Sequence, residues 1–203
     1  MPPRSMSRQD VQRWFAERAA GLEERFPDDG PRYARAAERL GPSPGAVVLD
    51  AGCGTGRGLP WLRKAVGPDG VLIGLDLTWE MLEEARRLGR QPLAQLVQAD
   101  LLELPLLTAS VDAVLAAGLL PHLADPVGGL RELARVTRPA GRLALFHPVS
   151  RAELVRRHGD DPELDRLLSP EELGERLEDA GWKLEEVDDS EAGYLALASR
   201  EPA

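Results

Sequence analysis

The sequence predicts an α/β fold: a doubly wound, mostly parallel seven-stranded sheet with helices on both faces, an antiparallel C-terminal edge hairpin and an N-terminal helical addition. Three observations favour this class. Short apolar runs bounded by Gly, Pro or Asp recur from residue 46 onward, helical patterns separate most of them, and two strand-like runs lie close together near the end of the chain. Runs that are apolar on both faces and alternate with helices are typical of a parallel sheet covered on both sides.

Five apolar runs predict the parallel strands, with helical segments between most of them. The strands are expected in AVVLDA (46–51), GVLIGLDL (70–77), LAQLVQA (93–99), VDAVLAA (111–117) and GRLALFHP (141–148), and the helices at 57–66, 79–89 and 126–137. Because parallel strands need a long crossover connection, usually a helix, this alternation indicates βαβ units.

The C-terminal part has a different pattern. SPEELGERLEDAGW predicts a helix with Ser169 as its N-cap and Gly181 just past its end. WKLEEVDD (182–189) and GYLALAS (193–199) follow as two strand-like runs a few residues apart, which is typical of an antiparallel hairpin.

The N-terminal part is predicted to be helical. SRQDVQRWFAERAAGLEERF has apolar positions at helical spacing with Ser7 as its N-cap, PDDGP interrupts it, and RYARAAERL predicts a second helix that ends at Gly41. We expect a single domain over 1–203, in which 1–42 form a helical addition and 46–199 the α/β core.

Composition excludes several classes of protein. The net charge of -9 argues against nonspecific affinity for nucleic acid or anionic membrane. The single cysteine, Cys53, excludes an intramolecular disulfide, no apolar run approaches 18 residues, and the N-terminus lacks a signal-peptide core. We therefore expect a cytoplasmic protein without a nucleic-acid or membrane partner. The helical acid pairs Glu23/Glu24 and Glu83/Glu84 are expected on solvated faces.

The stretch VVLDAGCGTGRG carries closely spaced glycines at the end of the first predicted strand. Gly52, Gly54 and Gly56 give G-x-G-x-G, whereas the dinucleotide fingerprint G-x-G-x-x-G would need glycine where Arg57 stands. A phosphate-binding P-loop needs Lys followed by Ser or Thr after the last glycine, and neither follows. What remains is a strand-to-helix turn at which a ligand approaches the backbone closely.

Three acids follow the first three predicted strands. Asp50 closes the first, Asp76 the second and Asp100 follows the third. In an open parallel sheet, these carboxyl ends meet at the edge where ligands bind. An acid after the second strand can accept hydrogen bonds from both hydroxyls of a ribose, and one further out can meet the exocyclic amine of adenine. An acid beside the glycine loop suits a cation, so the pattern predicts a positively charged adenosine ligand.

These residues resemble a known family. VVLDAGCGTG, GLDLTWEML, VQADLLELPL and VDAVLAAGLLPHLADPVGGLRELARVTRPAGRLAL are similar, in order and spacing, to the motifs of class I S-adenosylmethionine-dependent methyltransferases, of the small-molecule, type 11-like kind. The resemblance covers residues 47–147. It implies S-adenosyl-L-methionine as cofactor and S-adenosyl-L-homocysteine as product. The cofactor contacts that it implies are Asp50, Gly52, Gly54, Ala117 and Gly118 for the methionine part, Asp76 for the ribose, and Leu77, Asp100 and Leu101 for the adenine.

Histidines are the candidate catalytic residues. His122 lies just past the fourth strand, where the substrate pocket of the family opens, and the ordinary pKa range of histidine suits a general base. His147 ends the fifth strand on the same edge and is a candidate for substrate contact. His158 lies in a polar stretch and is expected at the surface. The three are not at zinc-ligand spacing, so no metal site is predicted.

The sequence says less about the methyl acceptor than about the cofactor. Methyl transfer from a sulfonium needs mainly proximity and orientation, so the sequence need not show a catalytic signature. AGLL stands where an NPPY-type tetrapeptide would indicate methylation of amino groups on DNA bases or protein glutamine, which favours a small-molecule acceptor. Trp14, Phe15 and Tyr33 either cover the substrate, as N-terminal helices do in similar enzymes, or pack on the domain.

The alternative functions are a homologue that binds the cofactor without transferring methyl, as a cyclase, eliminase or regulator, and a nicotinamide-dependent oxidoreductase, which Arg57 disfavours. The sequence does not indicate the oligomeric state.

Overall fold

A seven-stranded sheet forms the centre of the protein in the computed structural model, which describes residues 7–25 and 29–201. The strands are β1 (Val47–Ala51), β2 (Val71–Asp76), β3 (Gln95–Gln98), β4 (Val111–Ala117), β5 (Thr137–His147), β6 (Trp182–Ser190) and β7 (Gly193–Arg200). The α-helices are α1 (Arg8–Ala16), α2 (Gly30–Leu40), α3 (Leu59–Val66), α4 (Trp79–Arg87), α5 (Pro126–Val136), α6 (Arg151–Arg157), α7 (Pro162–Leu167) and α8 (Pro170–Asp179). Short 3-10 turns lie at Glu23–Arg25, Gln91–Leu93, Leu101–Glu103 and Leu120–His122.

The strand order is β3-β2-β1-β4-β5-β7-β6. Strands β1 to β5 pair in parallel, and β7 runs antiparallel between β5 and β6. The predicted fold class is therefore confirmed, including the C-terminal hairpin. The order reverses direction at β1, so the crevice between the ends of β1 and β4 is the place where open α/β sheets bind ligands.

Helices cover both faces of the sheet. One apolar cluster packs α2 and α3 on one face through residues such as Leu40 and Leu62. The other face carries α5, α7 and α8, with Leu133 and Leu173 fully or almost fully buried. In the described residues, no helix is long and apolar enough to cross a membrane.

Several helices begin or end at the capping residues that the sequence predicted. Ser7 and Ser169 each accept a hydrogen bond from the backbone amide three residues later, and Gly41 ends α2 in the left-handed conformation. The first helix is shorter than its pattern indicated: α1 stops at Ala16, and the chain turns through Gly21, which has a φ of 80°. Part of the predicted helix and the following break, residues 26–28, lie outside the described residues.

Two short helices, α6 and α7, were not predicted. Ser150 caps α6 by accepting from the amide of Glu153, and Asp161 caps α7 by accepting from Glu163 and Leu164. Each has only one or two buried residues, so their apolar periodicity is weak. Their position matters because α6 reaches the functional edge of the sheet.

The buried Trp182 ties β6 to α5, because its indole N–H donates to the carbonyl of Leu130 at 2.9 Å. We expect Trp182→Phe to lower the free energy of unfolding by about 1–3 kcal/mol, through the lost hydrogen bond and the cavity left behind. The matched control is Trp79→Phe, at a side chain that is 43% exposed, with an expected change within about 0.5 kcal/mol. Urea unfolding measures both, and equal changes would contradict this account.

Candidate functional site

A cavity of about 480 Å³ opens at the carboxyl ends of the parallel strands. It lies in the size range of small-molecule sites, roughly 300–1,000 Å³. The predicted site residues that line it are Gly52, Gly54, Asp76, Leu77, Asp100, Leu101, Ala117, Gly118, His122 and His147. Asp50 is not among the lining residues.

The glycine loop is shaped by backbone conformations that other residues rarely adopt. Gly52, Gly54 and Gly56 have φ values of 67°, 55° and 83°. A side chain on Gly52 would come within 2.8 Å of Leu119, whereas the space above Gly54 is open. The loop therefore presents bare backbone to the cavity, and a ligand can approach Gly54 without meeting a side chain.

Asp76 joins this loop to the end of β2. Its Oδ2 accepts from the Gly54 amide at 2.8 Å, and its Oδ1 accepts from the Thr78 amide at 2.8 Å. Burial raises the pKa of Asp76, and these backbone hydrogen bonds oppose the rise. The Thr78 hydroxyl and the Leu77 amide also lower this pKa through hydrogen bonds to the carboxylate. Asp76 lines the cavity, where its carboxylate can act as a hydrogen-bond acceptor for a ligand.

Asp50 lies beneath the loop instead of in the cavity wall. The residue is 1% exposed, and a side chain on Gly58 would come within 2.9 Å of its Oδ2. That oxygen has no hydrogen-bond partner within residues 7–25 and 29–201. Burial, together with the nearby Asp76, raises the pKa of Asp50 to about 7. Sequence reasoning placed this acid at the right strand end, but the tight turn directs its carboxyl inward.

The third predicted acid lies beyond β3 and meets the N-terminal helix. Asp100 forms an ion pair with Arg8 at 2.7 Å and caps the next turn by accepting from the Leu102 amide at 3.1 Å. The Leu77 carbonyl accepts from the side-chain amide of Gln12 at 3.1 Å. Helix α1 therefore covers the end of the cavity at which Asp100 and Leu77 lie.

Sequence reasoning missed an ion-pair network beside the glycine loop. Glu23 accepts from the Thr55 hydroxyl at 2.5 Å and from Arg90 at 2.8 Å. Arg57 forms an ion pair with Asp29 at 3.3 Å, and both line the cavity. Burial opposes ionisation of Glu23, but the hydrogen bonds from Arg90 and Thr55 outweigh it and hold the pKa of Glu23 below its ordinary value. The one feature of the sequence that could have indicated this network is Arg57, which directly follows the glycines.

Only one member of each acid pair expected on a solvated face is exposed. Glu24 and Glu83 are exposed, whereas Glu23 is half-buried in the network and Glu84 is buried against Arg87. Neighbouring residues on a helical turn face different directions, so a shared surface role does not follow from adjacency.

His147 is buried at the end of β5. Its Nδ1 accepts from the Val149 amide at 3.3 Å, and its Cδ2 would lie 3.8 Å from a side chain on Gly118. Burial, with His158 and Arg157 adding to it, lowers the pKa of His147 to about 3. The ring is therefore neutral at physiological pH, and with Nδ1 accepting, the proton is on Nε2. This makes His147 a hydrogen-bond donor and unsuited to act as a general base.

His122 is half-buried at the cavity wall and packs edge-to-face on Phe15, with ring centroids 5.1 Å apart. The expectation that His158 lies at the surface is wrong: its ring centroid is 5.9 Å from that of His122, and its Nδ1 lies 2.8 Å from the Leu154 carbonyl. The reason is the unpredicted helix α6, which carries His158 inward.

The N-terminal aromatic residues line the same cavity. Trp14 and Phe15 lie on α1 with ring centroids 5.0 Å apart, and Tyr33 on α2 packs edge-to-face on Phe146 at 5.1 Å. Tyr33 therefore both packs on the domain and forms part of the cavity wall. The cavity lining therefore combines the carboxylates of Asp29, Asp76 and Asp100 with aromatic and histidine side chains.

Comparisons with known proteins agree with this geometry. A family model described as Methyltransferase domain matches residues 49–145. The O-methyltransferase cnsE of Penicillium expansum is 34% identical over 165 residues, which cover 74% of this chain and 57% of that protein. The chain spans 32–60% of the length of the curated relatives from bacteria and fungi that it matches first.

Solved structures share the whole fold. A SAM-dependent methyltransferase from Aquifex aeolicus is 26% identical with a TM-score of 0.69, and the match covers 96% of this chain and 98% of that one. The [4+2]-cyclase SpnF has a TM-score of 0.64 at 20% identity, over 84% of this chain and 81% of that one. At that identity the likeness to the cyclase concerns the fold alone.

The raised pKa of Asp50 predicts an unusual dependence of stability on pH. Between about pH 4, where the unfolded carboxyl titrates, and about pH 7, the folded protein retains a proton that the unfolded chain releases, so this carboxyl lowers stability as pH rises. Asp50→Asn removes the titration. We expect the variant to gain roughly 2–3 kcal/mol relative to wild type between about pH 5 and pH 8.

Urea unfolding at several pH values in this range measures that gain. The matched control is Asp69→Asn, which removes an exposed acid in the turn before β2 and is measured over the same pH range. A pH-independent difference for Asp50→Asn would contradict the buried titration.

Proposed function

The chain belongs to the class I S-adenosylmethionine-dependent methyltransferase family, and on that premise we propose that it transfers a methyl group from S-adenosyl-L-methionine to a small-molecule acceptor by in-line displacement. The observation that carries the proposal is the hydrogen bond from the Gly54 amide to the Asp76 carboxylate, because it brings bare backbone and the acid that we propose for the ribose side by side in one cavity. We also propose that 1–203 act as one domain, in which residues 1–42 cover the site on the α/β core 46–199.

The residues present fit this cofactor. Asp76 is an acid in the cavity wall to which ribose hydroxyls can donate, and the open space above Gly54 allows the close approach that the methionine part needs. Asp50 is buried beneath the glycine loop, and we propose that a sulfonium in the cavity would stabilise its ionised form. The further contacts that we propose are Gly52, Ala117 and Gly118 for the methionine part and Leu77, Asp100 and Leu101 for the adenine.

When bound, the cofactor supplies a methyl group already activated by a sulfonium. The protein then has to position the acceptor in line with that group, which is worth about 7–11 kcal/mol of the barrier. Trp14, Phe15 and Tyr33 form an apolar wall that orients the acceptor and limits the access of water.

A small molecule is the acceptor class that these features support. The cavity suits a ligand of modest size beside the cofactor, and the net charge of -9 disfavours nucleic acid. The O-methyltransferase of Penicillium expansum, with 34% identity, supports the same class.

Ligand-induced stabilisation tests the proposal. S-adenosyl-L-methionine or S-adenosyl-L-homocysteine at 100 times its dissociation constant should stabilise the protein by about 2.7 kcal/mol, a shift of roughly 5–10 °C in Tm, and NAD should give none. Because charge-assisted hydrogen bonds contribute about 1.5–3 kcal/mol each, Asp76→Asn should weaken cofactor binding at least tenfold.

The same control, Asp69→Asn, should bind the cofactor as wild type does. Unchanged affinity in Asp76→Asn would overturn the ribose assignment, and a shift with NAD alone would overturn the cofactor. Cofactor binding without methylation of any acceptor in a screen of small molecules would favour a homologue that does not transfer methyl.

A further inference from the structure

A cluster of partly buried polar groups joins three segments of the chain beside the cavity. Thr55 belongs to the glycine loop, Arg90 to the segment between α4 and β3, and Glu23 to the 3-10 turn of the N-terminal segment. Thr55 is buried and lines the cavity. Neither Glu23 nor Arg90 is among the described residues that line it. An effect of these two side chains on ligand contacts in the cavity is therefore indirect.

The Arg90 guanidinium contacts the glycine loop and the N-terminal segment at once. One terminal nitrogen donates to the Thr55 carbonyl at 2.7 Å and to Glu23 Oε1 at 2.8 Å, and the other donates to Glu23 Oε2 at 3.1 Å. The Thr55 hydroxyl donates to the same carboxylate at 2.5 Å. A guanidinium that contacts both oxygens of a carboxylate fixes orientation as well as distance, which the compact ammonium of a lysine does not.

The third glycine of the loop leaves room for Arg90. A side chain on Gly56 would come within 3.1 Å of Arg90 Cδ and within 2.8 Å of Leu59 Cδ1. Gly56 has a φ of 83° and is not among the described residues that line the cavity, whereas Gly52 and Gly54 are. Gly56 therefore serves the packing of Arg90 on the loop and not the approach of a ligand.

Residues on both sides of α4 hold the glycine loop. Before the helix, the Asp76 carboxylate accepts from the Gly54 amide, and after the helix, Arg90 donates to the carbonyl of the next loop residue, Thr55. Both loop residues line the cavity. Without the Arg90 guanidinium, the Thr55 carbonyl loses a charged donor and the partly buried Glu23 carboxylate loses its bidentate partner, so the loop and the N-terminal segment are both held less tightly.

We propose that Arg90 is a positioning residue for the cofactor: it holds the glycine loop in the conformation that binds the methionine part and links this loop to Glu23. Cofactor binding and attachment of the N-terminal segment then strengthen each other, because a segment that stabilises the binding conformation is itself stabilised by the ligand. This inference rests on the proposed function and adds to it a residue outside the cavity wall.

Arg90→Lys, which keeps the charge and removes the guanidinium, tests the proposal through the affinity for S-adenosyl-L-homocysteine, measured by calorimetry well below the Tm. We expect binding to weaken by roughly 5–150-fold, the usual range of coupling between two sites. The matched control is Arg87→Lys. Arg87 makes a bidentate contact with Glu84, at 2.6 and 2.5 Å, within α4, and this variant should bind the ligand as wild type does.

Glu23→Gln tests the link to the N-terminal segment. It should weaken the same binding, and the double variant Glu23→Gln/Arg90→Lys should lose less than the product of the two single losses, because both substitutions break one contact. In the wild-type protein, saturating ligand should also slow hydrogen exchange of the amides in residues 8–22. In Arg90→Lys at saturating ligand this slowing should be smaller, which a role in folding stability alone would not cause.

The Tm of each variant without ligand shows whether it is folded. A lowered Tm with unchanged affinity in Arg90→Lys would make Arg90 a residue of stability alone and overturn the proposal, and so would an equal loss of affinity in Arg87→Lys. Independent losses in the double variant, or unchanged affinity in Glu23→Gln, would overturn the link to the N-terminal segment even where Arg90→Lys does not fold. Absence of binding by the wild-type protein would instead mean failure of the proposed function.

Discussion

The hydrogen bond from the Gly54 amide to the Asp76 carboxylate is the interaction on which the site depends. It joins the turn after β1 to the end of β2, in a loop where Gly54 has a φ of 55°, a conformation that favours glycine. The buried carboxylate in turn needs that amide, because an ionised group without partners inside a protein is costly. The loop conformation and the position of the acid are therefore one structural feature, and a change in either disturbs both.

The same packing buries a second acid, Asp50, whose Oδ2 has no hydrogen-bond partner within the described residues. Burial disfavours ionisation of Asp50, and the nearby Asp76 carboxylate adds to the effect. A site held in this state favours a cationic ligand over a neutral one. The sulfonium of the proposed cofactor becomes a neutral thioether after methyl transfer, so the charge that the site favours is present in the substrate complex and reduced in the product complex.

Particular residues show how far the sequence could predict this structure. The strands, the glycine turn and the acids Asp76 and Asp100 were predicted because their signals are local: apolar runs, glycine spacing and a strand end. The inward direction of Asp50 was not, because it depends on how the turn folds over it. His158 was misplaced because α6 has little apolar periodicity, and the partners of Glu23 were invisible because Arg90 lies 67 residues away in the chain. What sequence patterns omit here are contacts between distant segments.

Those distant contacts hold the N-terminal segment unevenly. At the glycine loop, Glu23 receives hydrogen bonds from Thr55 and from both terminal nitrogens of Arg90, and the side chains of Glu23 and Arg90 are 25% and 18% exposed. At the Asp100 end, the Arg8 side chain is 59% exposed. Exposed ion pairs contribute about 0–1 kcal/mol, whereas hydrogen bonds to partly buried charged groups contribute about 1.5–3 kcal/mol. The contacts of Glu23 beside the glycine loop therefore contribute more to holding the N-terminal segment than the exposed Arg8–Asp100 ion pair does.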